Sequence, residues 1–293
     1  MSLVERTLKK LQESQGAKAP GAAVPPRAPQ PPSSPERQAM PIETTRVVSV
    51  DRARLREMNL LAPPDMERRI ARQYQQIKRP LVASALGGTL GPAGHVIMLA
   101  SALPGEGKTF TSINLALSLA LEKDIEVLLV DADVPKPHVS RIFGVEQERG
   151  LMDLLFNREL HANQVILRTD VPGLTLLPAG HAGETATESL ASERMAEVVQ
   201  QLAAPNRRRI VLFDSPPLML STESRVLTAA AGQVVLVVRA ESTSREAVLH
   251  AVEAVGEGKP VSIILNQSSA APAENYYGYG SYGESPAVPT RSE

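Results

Sequence analysis

Cysteine and tryptophan are absent from the 293 residues, and phenylalanine and tyrosine together number nine. Without cysteine, disulfides and thiolate metal sites are excluded, and a reducing compartment fits. The five histidines (His95, His138, His161, His181, His250) are scattered without ligand spacing and read as surface or edge residues. Net charge is also nearly missing: 31 Lys and Arg against 32 Asp and Glu leave −1, so the total points to neither nucleic acid nor an anionic membrane surface. No apolar run approaches the roughly 20 residues of a membrane span. The N-terminus lacks the apolar core of a signal peptide. These absences predict a cytoplasmic protein, brought to the inner face of the cell membrane only by a partner.

Proline is abundant but unevenly placed. Eight of the 24 prolines lie between Pro20 and Pro41. That composition buries no core and predicts a PPII-like or disordered linker over 16–45, after a short amphipathic segment over 1–15. Order is expected over 46–267. Residues 268–293 are rich in Ala, Pro, Ser, Gly and Tyr and predict a flexible tail.

The ordered part alternates apolar runs with helical patterns. Strands are expected at 95–100, 126–130, 174–178, 209–213, 233–238 and 261–265. Helices are expected at 108–122, 150–156, 189–203, 222–230 and 244–255. A further helix should run from Met66, N-capped by Asp65, to about Arg79, with Pro80 ending it. Unbroken Val/Ile/Leu strands alternating with helices predict an α/β fold: a doubly wound, mostly parallel sheet with helices on both faces. Ligands of such sheets bind at the carboxyl ends of the strands.

Three strand ends carry the chemistry. After the first run comes Ser101-Ala-Leu-Pro104-Gly105-Glu106-Gly107-Lys108-Thr109, then Phe110 and a helix pattern. Strand, Gly-rich turn and Gly-Lys-Thr at a helix start form a P-loop. Turn N–H groups and the helix N-terminus hold phosphate oxygens, the lysine adds charge, and the threonine hydroxyl can ligate Mg²⁺. The strict pattern has glycine where Ala102 stands, so the loop is a variant. The second strand end is Val127-Leu-Leu-Val-Asp131-Ala-Asp133 and the third is Ile210-Val-Leu-Phe-Asp214-Ser-Pro216. One such aspartate reads as a turn or helix cap; three beside a phosphate loop read as a nucleotide site. Thr109, Asp214 and Asp131 are the expected metal group. Lys108 should neutralise phosphate charge, and Asp131 and Asp133 share a metal-shell role and a general-base role that sequence does not divide between them. The cofactors expected are ATP or ADP and Mg²⁺. Arg239 and Asn266 also sit at strand ends, where base or ribose contact and a turn role are equally open.

The set Pro-Gly-Glu-Gly-Lys-Thr with Asn114, apolar-Asp-x-Asp and apolar-Asp-x-Pro resembles the bacterial tyrosine kinases, over about residues 46–282. Met1-Ser-Leu-Val-Glu-Arg6 and Ile77-Lys-Arg-Pro-Leu81 are further similar to the tyrosine autokinases of exosortase-associated exopolysaccharide loci. The resemblance implies an autokinase of exopolysaccharide synthesis and export that acts on chain length. It also implies a membrane co-polymerase partner with an activating tail, and self-association for phosphorylation in trans. Its acceptors would be Tyr276, Tyr277, Tyr279 and Tyr282, which hold four of the chain's five tyrosines. The family's ring-forming Glu-x-x-Arg-x-x-Arg aligns with Arg72, Gln75 and Lys78. An arginine near the second motif is replaced by Pro135, followed by Lys136. Two other readings share the fold. One is a partition-type switch ATPase, against which Leu103 stands where those proteins carry an extra lysine. The other is a nucleotide-binding regulatory module with little catalysis.

Overall fold

A computed structural model describes residues 42–43, 46–88, 90–183, 185–203 and 208–268. The expected N-terminal segment, nearly all of the linker, and the tyrosine cluster lie outside the described residues.

The strands are β1 (Val47–Val48), β2 (Val96–Ser101), β3 (Glu126–Asp131), β4 (Leu167–Thr169), β5 (Leu174–Leu177), β6 (Arg209–Asp214), β7 (Gln233–Arg239) and β8 (Val261–Asn266). The α-helices are α1 (Arg52–Glu57), α2 (Glu67–Leu86), α3 (Lys108–Leu119), α4 (His138–Ile142), α5 (Leu151–Phe156), α6 (Ala186–Leu190), α7 (Glu193–Ala203), α8 (Thr222–Ala230) and α9 (Arg245–Val255). The sheet order is β1-β4-β5-β3-β6-β2-β7-β8. Every pairing is parallel except β4 with β5.

The six expected strands are the parallel body of this sheet. Their alternation divides the core into two layers. Val96, Met98 and Ala100 pack into one apolar cluster, and Ile97 and Leu99 into the other. Helices cover both faces, which is why β2 is buried at all six positions and carries no polar alternation. The short β1 and β4, two and three residues long, form the edge that strand patterning did not predict. Neither is long enough to show a period.

Two helices depart from expectation. The segment 189–203 divides into α6 and α7. Helix α2 runs straight through Pro80 to Leu86. Pro80 and Gln76, whose carbonyl loses its intrahelical donor, both face solvent, so water can satisfy that carbonyl. Beyond the proline, Leu81 and Ala85 are buried, and their packing outweighs the local penalty.

Lys78 sits inside this packing. It is 2% exposed, and its Nζ lies 2.8 Å from Ser118 O and 2.7 Å from Glu122 Oε1. It therefore ties α2 to the C-terminal end of α3, where free carbonyls favour a cation. Of the three positions aligned with the ring signature, Arg72 and Gln75 are exposed and Lys78 is committed to this internal contact.

Candidate nucleotide and phosphoryl-transfer site

Chain order and spatial order differ where it matters. Strands β3, β6 and β2 are neighbours in that order, so Asp214 at the end of β6 stands between Asp131 and the P-loop. Asp131 and Asp214 are partners in the parallel register.

Asp214 is fully buried and gathers three donors. Lys108 Nζ is 3.2 Å from Oδ1, Ser112 Oγ is 2.8 Å from Oδ1, and Thr109 Oγ1 is 2.9 Å from Oδ2. Lys108 and Ser112 lie four residues apart on α3 and so face the same way. That spacing was the available sequence signal for Ser112, which motif reading missed.

Asp131 is also fully buried. Its Oδ2 accepts from Ser140 N at 2.6 Å and Ser140 Oγ at 2.7 Å. Its Oδ1 is buried and has no hydrogen-bond partner among the described residues. Burial, then the Asp214 charge, raises its pKa to about 7. Asp133 is raised too, first by burial, with Lys108 pulling the other way.

The loop is held in shape from outside. Gly105 and Gly107 have φ of +79° and +90°, which L side chains rarely adopt. Asn266 Nδ2 donates to Glu106 O at 2.9 Å. A Cβ on Gly107 would lie 2.0 Å from that Nδ2. The Glu106 side chain is 2% exposed and turned inward, accepting from Leu103 N at 2.7 Å and from Thr243 Oγ1. Asn266 and Thr243 engage a loop carbonyl and a loop carboxylate from outside, and that carboxylate takes up Leu103 N, leaving the N–H groups nearer the helix start for an anion. Asn114 Nδ2 donates to Phe110 O and to Leu60 O, anchoring the segment after α1 on α3. Asn266 and Arg239 face each other across β8 and β7; Asn266 is occupied as this brace and Arg239 is exposed.

A cavity of about 460 Å³ opens at these strand ends. Pro104, Gly105, Lys108 and Thr109 line one side; Asp133, Lys136 and His138 line another. Pro216, Pro217 and Leu220 add an apolar wall. Asp131 does not line it. The structure thus brings Lys108, Thr109, Asp131, Asp133 and Asp214 together, with Pro104, Glu106 and Phe110 on the same loop and helix start. Tyr276, Tyr277, Tyr279 and Tyr282 lie outside the described residues.

The donor set suits Mg²⁺: a hydroxyl and two carboxylates, one of which has a buried oxygen left without a donor. Thr109 and Asp214 would hold the ion and Asp131 its water shell. Such an ion supplies charge neutralisation on phosphate oxygens.

A loop of this form at the end of a parallel strand, with acidic residues on the neighbouring strands, defines a P-loop nucleotide-binding α/β domain. Residues 94–261 match the family model described as an AAA domain. The tyrosine-protein kinase CpsD of Streptococcus agalactiae is 31% identical over 198 residues, covering 66% of this chain and 84% of that protein. The VpsO kinase domain is 30% identical, with 66% of this chain and 98% of that one covered at a TM-score of 0.53. The kinase domain of the Escherichia coli tyrosine kinase ETK is 26% identical at a TM-score of 0.50, over 63% and 71% of the two chains. The chain belongs to the bacterial tyrosine kinase family. It spans a quarter of the length of the larger EpsB protein of Ralstonia nicotianae, to which it is 34% identical over 194 residues.

Among the described residues no helix is long and apolar enough to cross a membrane.

Proposed function

We propose that the chain is an ATP- and Mg²⁺-dependent protein-tyrosine autokinase whose acceptors are Tyr276, Tyr277, Tyr279 and Tyr282. One observation carries this reading. Asp214 gathers Lys108, Thr109 and Ser112 beside Asp131, at the margin of a cavity that also contains Asp133. The tyrosine hydroxyl loses its proton as its oxygen bonds the terminal phosphorus of ATP, and the bond from that phosphorus to the ADP oxygen breaks.

The two carboxylates of the second motif then divide by position. Asp133 lines the cavity and is in reach of an acceptor hydroxyl; its raised pKa suits a general base. Asp131 does not line the cavity and is clamped by Ser140, which suits the metal's water shell. Lys108 offsets phosphate charge. Pro216, Pro217 and Leu220 offer an apolar face to a phenol ring.

Names of the relatives support the kinase reading. The chain is 30% identical over 189 residues to the tyrosine-protein kinase Wzc of Salmonella typhimurium. The finer reading is control of exopolysaccharide chain length and export within an exosortase-associated system. It includes self-association for phosphorylation in trans and an activating membrane co-polymerase that holds the chain at the inner membrane face.

The test is incubation of the purified chain, with and without the activating partner, with labelled ATP and Mg²⁺. Phosphotyrosine within 276–282 is expected, and its loss in Lys108→Met. Released phosphate without phosphotyrosine under both conditions would overturn the reading in favour of a switch ATPase.

A further inference from the structure

Helix α2 presents a solvent face with positive charge and no acid. Arg68, Arg69, Arg72 and Arg79 are exposed, and none has a hydrogen-bond or ion-pair partner among the described residues. At helical spacing Arg68, Arg72, Gln75 and Arg79 fall along one row, and Arg69, Gln73 and Gln76 along the next. The helix's one acidic residue, Glu67, is paired with Arg56 at 3.2 Å. The opposite side buries Tyr74, Lys78, Leu81 and Ala85. A chain of net charge −1 therefore carries a local cationic face whose guanidinium groups are free.

The neighbourhood of that face limits what it would meet. Gln73, Gln76 and Ile77 line a groove of about 390 Å³ whose other wall is β8, with Ile263 and Leu265 53% and 67% exposed. Strand β8 is the last of the sheet and pairs with β7 alone. The chain therefore leaves the described structure, after Asn266, beside the arginine-bearing helix. Eight residues separate Ser268 from Tyr276, a reach of at most about 28 Å. The row from Arg68 to Arg79 is about 16 Å long. Four tyrosines within seven residues are thus tethered by a segment longer than the row itself.

We propose that the arginine face of α2 is the docking site of this chain's own tail, residues 269–285, once its tyrosines are phosphorylated. The proposal rests on the autokinase reading above. Each phosphate adds about −1.5 to −2 charge and three acceptor oxygens. Guanidinium forks take such groups with paired charge-assisted hydrogen bonds, as in other recognition of phosphorylated motifs by arginine clusters. Without phosphate the tail offers the face only Glu274 and Glu284 within this segment, too little charge to hold it. Docking would withdraw the modified tyrosines from the catalytic cavity, whose lining includes none of the α2 arginines.

The experiment uses the full chain, treated with a tyrosine phosphatase, and a labelled synthetic peptide of residues 268–285. The peptide is made with and without phosphate on its four tyrosines. Because it already carries phosphate, the result does not depend on whether the chain can make phosphotyrosine. The phosphorylated peptide should bind at least tenfold more tightly than its twin, with an affinity that falls as salt rises. Arg68→Gln/Arg72→Gln/Arg79→Gln, three exposed changes expected to leave the thermal midpoint in place, should remove that preference; lysine at the same positions should restore part of it. Lys108→Met should leave it intact. Equal binding of both peptides, or a preference surviving the triple change, overturns the proposal. So does a preference lost in Lys108→Met alone, which would place the peptide in the catalytic cavity. Capture of the chain by phosphatidylglycerol vesicles through the same arginines, with no peptide preference, would assign the face to a membrane instead.

Discussion

Asp131 and Asp214 stand opposite each other on adjacent parallel strands, both fully buried, one clamped by Ser140 and the other by Lys108. Two carboxylates so placed disfavour each other's charge, and only one has a cation against it. The arrangement would suit a further cation and leaves the metal-free protein with an acid that resists ionisation.

That has a measurable cost in stability. Asp131 titrates near 7 in the folded chain and near 3.8 unfolded, so the folded state holds its proton more tightly. Stability should fall as pH rises between those values and level off above the folded one. In metal-free protein the loss between pH 6 and pH 8 should be on the order of 1 kcal/mol from this group, and Asp131→Asn should flatten the profile. Urea unfolding at the two pH values decides the matter; an identical slope in the variant would refute it.

Asp214→Ala leaves Lys108 buried without its partner. A broken buried pair costs roughly 3–5 kcal/mol, so the metal-free variant should melt markedly lower. Asp214→Asn keeps an oxygen for Thr109 and Ser112 and should fold better, yet should lose Mg²⁺-dependent thermal protection by ADP. Retention of that protection in Asp214→Asn would remove Asp214 from the metal group.

Gly107→Ala places a methyl group 2.0 Å from Asn266 Nδ2 at a backbone φ of +90°. The strained conformation alone costs about 1–3 kcal/mol, and relief requires either the loop or Asn266 to move. Nucleotide affinity should fall at least tenfold by calorimetry. Asn266→Ala in the same chain removes the clash but not the strain, so it should recover part of the stability and little of the affinity. Full recovery of affinity would show that Asn266 has no role in bracing the loop.

Lys78→Met keeps the stem of the side chain and removes the cation that joins α2 to the end of α3. Glu122 is half exposed and can turn to water, so the expected loss is about 1–2 kcal/mol rather than that of a broken buried pair. Lys78→Glu should cost more, since it sets a buried carboxylate against the same carbonyls. Denaturant unfolding with equal stability for wild type and Lys78→Met would show that packing alone holds the two helices.

Much of the fold was legible from the chain. Six apolar runs became the six strands of the parallel body; five of them are largely buried on both faces, and β8, at the sheet edge, leaves Ile263 and Leu265 exposed. The Gly-Lys-Thr turn was legible because φ near +80° at Gly105 and Gly107 leaves few other residues able to stand there. The strands β1 and β4, of two and three residues, are too short to show a period, and the helices α1 (Arg52–Glu57) and α4 (His138–Ile142) carry too few apolar residues to show one. Pro80 was misread for a different reason. Its local penalty is real, but Leu81 and Ala85 bury beyond it and packing outweighs it.

By itself the sequence determined which residues stand at or just beyond three strand ends: a lysine and a threonine at a helix start, and three aspartates, a set that fits a ligand crevice. Only the tertiary structure decided how they divide the work. Sheet order set β6 between β3 and β2, so Asp214, the last of these in the chain, became the centre. Ser140 and Ser112 were supplied to the two buried aspartates by helices α4 and α3. Net charge read along the chain came to −1 because it sums over every face. Folding separated the faces, and Arg68, Arg72 and Arg79 came together on one side of α2 because a helical period, not adjacency, decides which charges are neighbours.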